Sequence, residues 1–202
     1  MCFSRRNNYL DLQQFNRYMI TYTTSITEKD LLGIQDLQKR NLPRNLTDSE
    51  IKSQGFVTVV HSLEDLNKMN DYEKHLVAKD NDRVIGYLLA MTKNSRNDIP
   101  VLMPMFDLFD NISYHGKLVS DYNYLVVGQV CLDKDYRGLG LLDKSYEAYK
   151  ALFQKKYDFA ITEISVNNVR SIKAHQRVGF VELDRYTDTN NLEWSVVIWN
   201  WS

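Results

Sequence analysis

The run Val130-Cys131-Leu132-Asp133-Lys134-Asp135-Tyr136-Arg137-Gly138-Leu139-Gly140-Leu141-Leu142 carries a hydrophobic strand through a short charged turn into a glycine-punctuated helix start. Gly138 and Gly140 let the backbone turn sharply and approach a ligand with no Cβ in the way. The first amides of a helix beginning near Leu139 have no carbonyl partner within that helix, and its positive end stands behind them. An anion such as a phosphate is what this arrangement attracts. A tight strand-to-helix turn without a ligand uses the same glycines, so the turn alone leaves both readings open.

The rest of the chain sets the surroundings of that turn. Among its 202 residues 44% are hydrophobic, enough for one substantial core, and no repeat or second composition class divides them. We read residues 1–18 as an N-terminal extension and 19–202 as one domain. Lys+Arg number 25 and Asp+Glu 26, a net charge of −1 that gives no global field for nucleic acid or an anionic membrane. No apolar run approaches the ~20 residues that span a bilayer, and the first eight residues lack a secretory apolar stretch, which together read as cytoplasmic. The two cysteines, Cys2 and Cys131, make no disulfide framework and have no metal-like neighbours. No metal is expected, and Cys131 reads as a small buried strand residue.

Along the chain, Met19 to Thr24 reads as a strand, and Thr27 caps a helix to Arg40 with acids in its first turn. Asp48 caps a short helix through Gln54, residues 56–60 read as a brief β segment, and Ser62 caps a further helix. His75 to Lys79 and Arg83 to Met91 form a hairpin around Asp80-Asn81-Asp82, residues that tolerate positive φ. The connection 92–121 is long, with the apolar centre Val101 to Phe109, and its length marks it as a candidate lid over an acceptor pocket. Tyr122 to Leu132 is the central strand, interrupted by Gly128, which signals a bulge. Leu142, Tyr146, Tyr149 and Phe153 form one buried helical stripe. A strand from Tyr157 to Ile164, a helix capped at Asn167 or Asn168 and stopped at Gly179, and a hairpin of 181–186 with 192–199 complete the chain. The fold class is α/β (α+β): one mixed, mostly antiparallel twisted sheet flanked by helices on both faces.

The segment Asn168-Val169-Arg170-Ser171-Ile172-Lys173-Ala174-His175-Gln176-Arg177-Val178-Gly179-Phe180 adds a second pattern in order after the glycine turn. Together the two segments resemble the GNAT acetyltransferase superfamily. Its (Arg/Gln)-x-x-Gly-x-(Gly/Ala) turn is matched from Arg137 to Leu142 except at Leu142. Its Asn-x-x-(Ser/Ala)-x-x-x-Tyr-x-x-x-Gly-Phe helix is matched at Asn168, Ser171, Gly179 and Phe180, with His175 where a Tyr is common. The resemblance covers residues 123–187 well and the rest by layout. It implies acetyl-CoA as cosubstrate, with Arg137 balancing pyrophosphate charge and the amides of Gly138, Leu139, Gly140, Leu141 and Leu142 binding it. Asn168 and Ser171 would fix the pantetheine side, and Val130, Cys131 and Leu132 would offer main-chain groups along a splayed strand.

Transfer of an acyl group to an amine needs a base for the amine and a proton for the departing thiolate. His175 is the donor candidate and Glu163 the base candidate, while Asp133 and Asp135 shape the turn. The expected activity is direct acetyl transfer to a primary amine of a small-molecule or peptide acceptor. A non-catalytic acyl-CoA sensor on the same fold is the alternative. A third reading is an interaction protein that docks a partner through exposed Trp194, Trp199 and Trp201. The terminal hairpin is a possible homodimer edge.

Overall fold

The computed structural model describes residues 19–201; the extension expected over 1–18 lies outside them. Seven strands form one sheet in the order β1-β2-β3-β6-β7-β9-β8. They are β1 (Ile20–Thr24), β2 (Leu76–Asp80), β3 (Arg83–Met91), β6 (Tyr124–Leu132), β7 (Phe159–Ser165), β8 (Val181–Thr187) and β9 (Glu193–Asn200). The small hairpin of β4 (Ser113–Tyr114) and β5 (Lys117–Leu118) stands apart from it. Every neighbouring pair in the large sheet is antiparallel except β6 and β7. The mixed, mostly antiparallel sheet expected from the sequence is the one observed.

Helices cover both faces. The helices α1 (Glu28–Arg40), α3 (Leu63–Tyr72) and α5 (Met103–Asp110) bury Leu31, Ile34, Leu66, Met69, Phe106 and Phe109 against Tyr87, Leu89, Tyr124 and Ile161. On the other face α6 (Leu141–Phe153) buries Tyr146, Tyr149 and Phe153 against Leu88, Leu125, Ala160 and Val197, the stripe anticipated from its spacing. From Tyr87 to Met91 of β3 and from Tyr124 to Val127 of β6 successive residues alternate between the two cores, as a pleated strand requires. Capping boxes at Thr27/Asp30, Thr47/Glu50 and Ser62/Asp65 start α1, α2 (Asp48–Gln54) and α3. The short helix is thus capped one residue earlier than its sequence suggested, because Thr47 can both accept from and be bonded by Glu50.

Two features of β6 matter for function. Its register with β3 slips between Leu88 and Ala90, which face Val130 and Val127, so Gly128 and Gln129 together oppose Leu89. That bulge resets the alternation and keeps both Val127 and Val130 on the α6 face. A Cβ at 128 would meet the side chain of Met91, which would have to move to admit it. The parallel pairing with β7 is confined to Tyr124↔Phe159, Leu125↔Ala160 and Val126↔Ile161. Beyond it, Thr162 Oγ1 donates to the Val127 carbonyl (2.7 Å), and from there the strands part.

Three expectations need correction. Residues 92–121, which include α4 (Ser95–Asp98), pack at the opposite end of β6 from the splay, with Phe106 and Phe109 fully buried and Tyr124 Oη bonded to Asp110 (2.8 Å). None of them borders the clefts described below; the apolar centre is core, not lid. Residues 56–60 join no sheet, because their backbone is bonded elsewhere: Val57 donates to the Asn41 carbonyl, and Gln129 Nε2 donates to that of Val59. The tryptophans do not form a docking surface. Trp199 and Trp201 pack against the α6 core, and Trp194 is half-buried and donates to Asp188 (3.1 Å).

Candidate active site

The charged turn after β6 is tied down on every side. Asp133 is fully buried and caps a single 3-10 turn, Lys134–Tyr136, while Arg40 Nη1 (2.9 Å) and Arg83 Nη2 (2.5 Å) donate to its Oδ2. Burial pushes its carboxyl up, but the bond from Arg40, the Asp135 amide and both guanidiniums outweigh that and hold it below the usual carboxylate range. Tyr136 Oη donates to Asp80 (2.7 Å), stapling the turn to the β2–β3 hairpin. Arg137 turns inward, with Nη2 donating to Asn41 Oδ1 (2.7 Å) and the Leu132 carbonyl (3.2 Å). Its guanidinium therefore braces the turn against the end of α1, a task that its motif position does not disclose.

After this brace the chain passes through Gly138 (φ +79°) and Gly140 (φ +71°), both left-handed, and α6 begins at Leu141. Among the described residues no side chain caps the helix, which leaves its first-turn amides without a capping partner. A Cβ at either glycine would meet nothing within 4 Å. The glycines serve the backbone path and leave open space in front of the amides.

That space is the end of a cleft of about 740 Å³ between α6 and α7 (Val169–Val178), within the range that holds cofactor-sized ligands. Val130, Cys131, Leu132, Arg137, Gly138, Gly140, Leu141, Leu142, Asn168, Ser171 and His175 all line it. Of the cofactor residues anticipated from sequence, only Leu139 lies outside the lining. Asn41, Gly55, Phe56, Val57 and the basic residues of α7 also line it; the first four carry no motif that could have announced them. Asn168 caps α7 by accepting from the Ser171 amide (3.2 Å), and its Nδ2 donates to the Phe56 carbonyl (3.3 Å). Cys131 has its thiol pushed up to about 12, chiefly by burial, which removes it as a nucleophile.

His175 is almost fully buried. Its Nδ1 lies 2.8 Å from the Ser171 carbonyl, which can only accept, so Nδ1 carries the proton and Nε2 accepts from Tyr146 Oη (2.6 Å). Burial brings its pKa down to about 4, and that of the wholly buried His75 down to about 3. Groups depressed in this way contribute stability that is complete above the unfolded histidine pKa of ~6.5 and is lost as pH falls toward the folded values. The melting temperature is therefore expected to drop by roughly 5–10 °C between pH 7.5 and 4.5 in thermal scans. A flat profile would show that the rings are not held neutral.

A smaller pocket of about 80 Å³ opens where β6 and β7 part. Gln129, Thr162, Glu163 and Trp194 line it, and it shares Phe56, Val57, Val130, Asn168, Ser171 and His175 with the large cleft. Glu163 accepts from Tyr186 Oη (2.7 Å). Burial, with a further push from Asp188, keeps its carboxyl above the ordinary range although the Tyr186 bond works the other way. Gln129 was visible in the sequence only as a polar strand residue; it accepts from Tyr87 Oη (2.5 Å) and holds the 55–60 segment through Val59. Among the described residues no group of three or more His, Cys, Asp or Glu is arranged to hold a metal.

The sequence that builds this parted parallel pair, bulged strand and uncapped helix matches the model described as acetyltransferase (GNAT) family over residues 38–180. The chain belongs to the GNAT acetyltransferase family. No curated protein matches it. Solved structures with the same fold include the NatC complex bound to Gag peptide and CoA, at 16% identity and TM-score 0.60 over 90% of this chain and 98% of that one. The ribosomal-protein-S18-alanine N-acetyltransferase from Escherichia coli is 14% identical, with TM-score 0.58 over 91% and 95% of the two chains. Naa50 from Arabidopsis thaliana, in complex with the bisubstrate analogue CoA-Ac-MVNAL, is 13% identical, with TM-score 0.55 over 89% and 97%.

Proposed function

We propose that this GNAT chain is an acetyl-CoA-dependent N-acetyltransferase that moves the acetyl group directly from thioester sulfur to a primary amine of a small-molecule or peptide acceptor. The observation that carries the reading is continuity: the cleft runs from the open amides of α6 to a shared wall with the pocket that holds Glu163. Amides from Gly138 to Leu142 take the pyrophosphate. The pantetheine arm follows the unpaired edge of β6 at Val130 to Leu132, with Asn168 and Ser171 on its other side. An amide near Val130 or Cys131 donates to the thioester oxygen as it becomes an oxyanion.

In this reading Glu163 takes a proton from the amine, and its raised pKa suits that task near neutral pH. Nitrogen attacks the acetyl carbon, the C–S bond breaks, and the thiolate leaves. His175 is neutral and both its ring nitrogens are engaged, so in this reading it holds Ser171 and Tyr146 in place rather than giving up a proton, and the departing thiolate takes its proton from solvent in the open cleft. The structural neighbours solved with CoA, a peptide or a bisubstrate analogue support the substrate classes without naming the acceptor.

Release of free thiol from acetyl-CoA, measured across a panel of amines and N-terminal peptides, is the test. Turnover that depends on one class of acceptor is the expected result. Tight cofactor binding with no turnover on any acceptor would favour the sensor reading, which the inward hydrogen bonding of His175 also favours.

A further inference from the structure

The register of β7 with β9 decides which side chains face the small pocket together. Glu163 is paired with Val196 and Ser165 with Trp194, while Ile161, Val196 and Ile198 all enter the core beneath α1 and α3. Residues two apart on a strand share a face, so Glu163 and Trp194 project to that same side as diagonal neighbours, a separation that an aromatic ring spans. Gln129 joins them there through the bond it accepts from Tyr87, another member of that core. Phe56, Val57 and Thr58 supply the facing wall. That segment is pinned at both ends, because Asn168 Nδ2 donates to the Phe56 carbonyl (3.3 Å) and Gln129 Nε2 to that of Val59 (2.8 Å). The indole of Trp194 is fastened too. Its Nε1 donates to Asp188 Oδ2 (3.1 Å), and Asp188 Oδ1 accepts from the amides of Asn190 (2.8 Å) and Leu192 (2.9 Å). Walls held in this way keep the pocket near its volume of about 80 Å³. Since a cavity of about 150 Å³ takes a benzene ring, this one takes about three heavy atoms.

We propose that the acceptor presents an unbranched aminoalkyl end, a nitrogen followed by methylenes, and that Trp194 excludes a branch on the carbon next to the amine. This rests on the transfer reading above and narrows it. A slim chain reaches Glu163 with only methylenes between the walls, whereas the α-amine of a peptide sits on a carbon that also bears a carbonyl and, glycine apart, a side chain. A free alkylamine and a lysyl side chain both have the required shape.

The isomers n-butylamine and sec-butylamine share composition and charge and differ in that branch. Their kcat/KM values with acetyl-CoA, on the parent chain, Trp194→Phe and Trp194→Ala, test the proposal. The parent is expected to favour the unbranched isomer by about ten- to two-hundred-fold, the effect of one methylene in a close-fitting pocket. In Trp194→Ala the ratio is expected to fall at least about five-fold through a rise in the sec-butylamine value, with Trp194→Phe between it and the parent. Loosened packing alone would lower both values together and leave the ratio standing, which overturns the role of Trp194. Equal values in the parent, or transfer to alanine amide in preference to n-butylamine, overturn the unbranched end while leaving the transferase reading intact. No thiol release with any amine sinks both. Faster transfer to Nα-acetyl-lysine amide than to n-pentylamine assigns the chain to a lysyl residue and the reverse to a free amine; either order supports the proposal.

Discussion

Replacing Gly140 with aspartate is expected to weaken coenzyme A binding by about a hundred-fold or more while shifting the melting temperature by only a few degrees. Aspartate is among the non-glycine residues that adopt left-handed φ with the least penalty, and at φ +71° a Cβ would project into open space. The cost to folding is the left-handed strain of about 1–2 kcal/mol, with no steric clash added. The added carboxylate stands directly before the uncapped amides of α6, where it competes for the donors and repels a diphosphate. Gly140→Asn, similar in shape and uncharged, is expected to lose less, and the difference between the two isolates the charge. Titration calorimetry beside thermal melts measures both quantities. Full affinity in Gly140→Asp would mean that the anion seat lies elsewhere.

The second large effect concerns Glu163. Its removal as Glu163→Gln is expected to lower turnover by about a hundred- to ten-thousand-fold, with coenzyme A affinity retained. The same change is expected to raise the melting temperature at pH 7.5. A carboxyl whose folded pKa is raised binds its proton more tightly in the native state, so its contribution is complete below the unfolded carboxylate pKa and is lost as pH rises through the folded value. Neutral glutamine escapes that loss, and the two proteins should converge in stability near pH 4. Rate and melting temperature moving in opposite directions would mark the carboxylate as held against its preference for the sake of chemistry. Unchanged turnover would remove Glu163 as the base. Tyr186→Phe, which deletes the bond to Glu163, is the companion variant for the rate–pH profile.

Legibility followed the range of the interactions involved. The glycine turn, the caps at Thr27 and Ser62, the stop at Gly179 and the aromatic stripe of α6 depend on neighbours a few residues away, and each lay where its spacing placed it. The bulge at Gly128 was readable for the same reason. What escaped depends on partners far along the chain. Arg137 serves Asn41, 96 residues away, and Phe56 enters the site because Asn168 reaches its carbonyl across 112 residues. Residues 92–121 were misread because an apolar centre in a loop is compatible with either a lid or a core plug. Only the packing of Phe106 and Phe109 against α1, α3 and the sheet decides between them. His175 illustrates a subtler limit: sequence gives its position on α7 but not that Tyr146 and the Ser171 carbonyl claim both its nitrogens.

The brief parallel contact between β6 and β7 divides the sheet into a four-stranded block and a three-stranded block held by a narrow waist. Interstrand bonding is thin there, so the two blocks can loosen from one another before either comes apart. A molecule laid lengthwise in the gap would touch both, acting as a splint across the waist. Its arrival should be felt as cohesion between the blocks, with slowed amide exchange at Val127 to Leu132 and Thr162 to Ser165 on both sides of the gap.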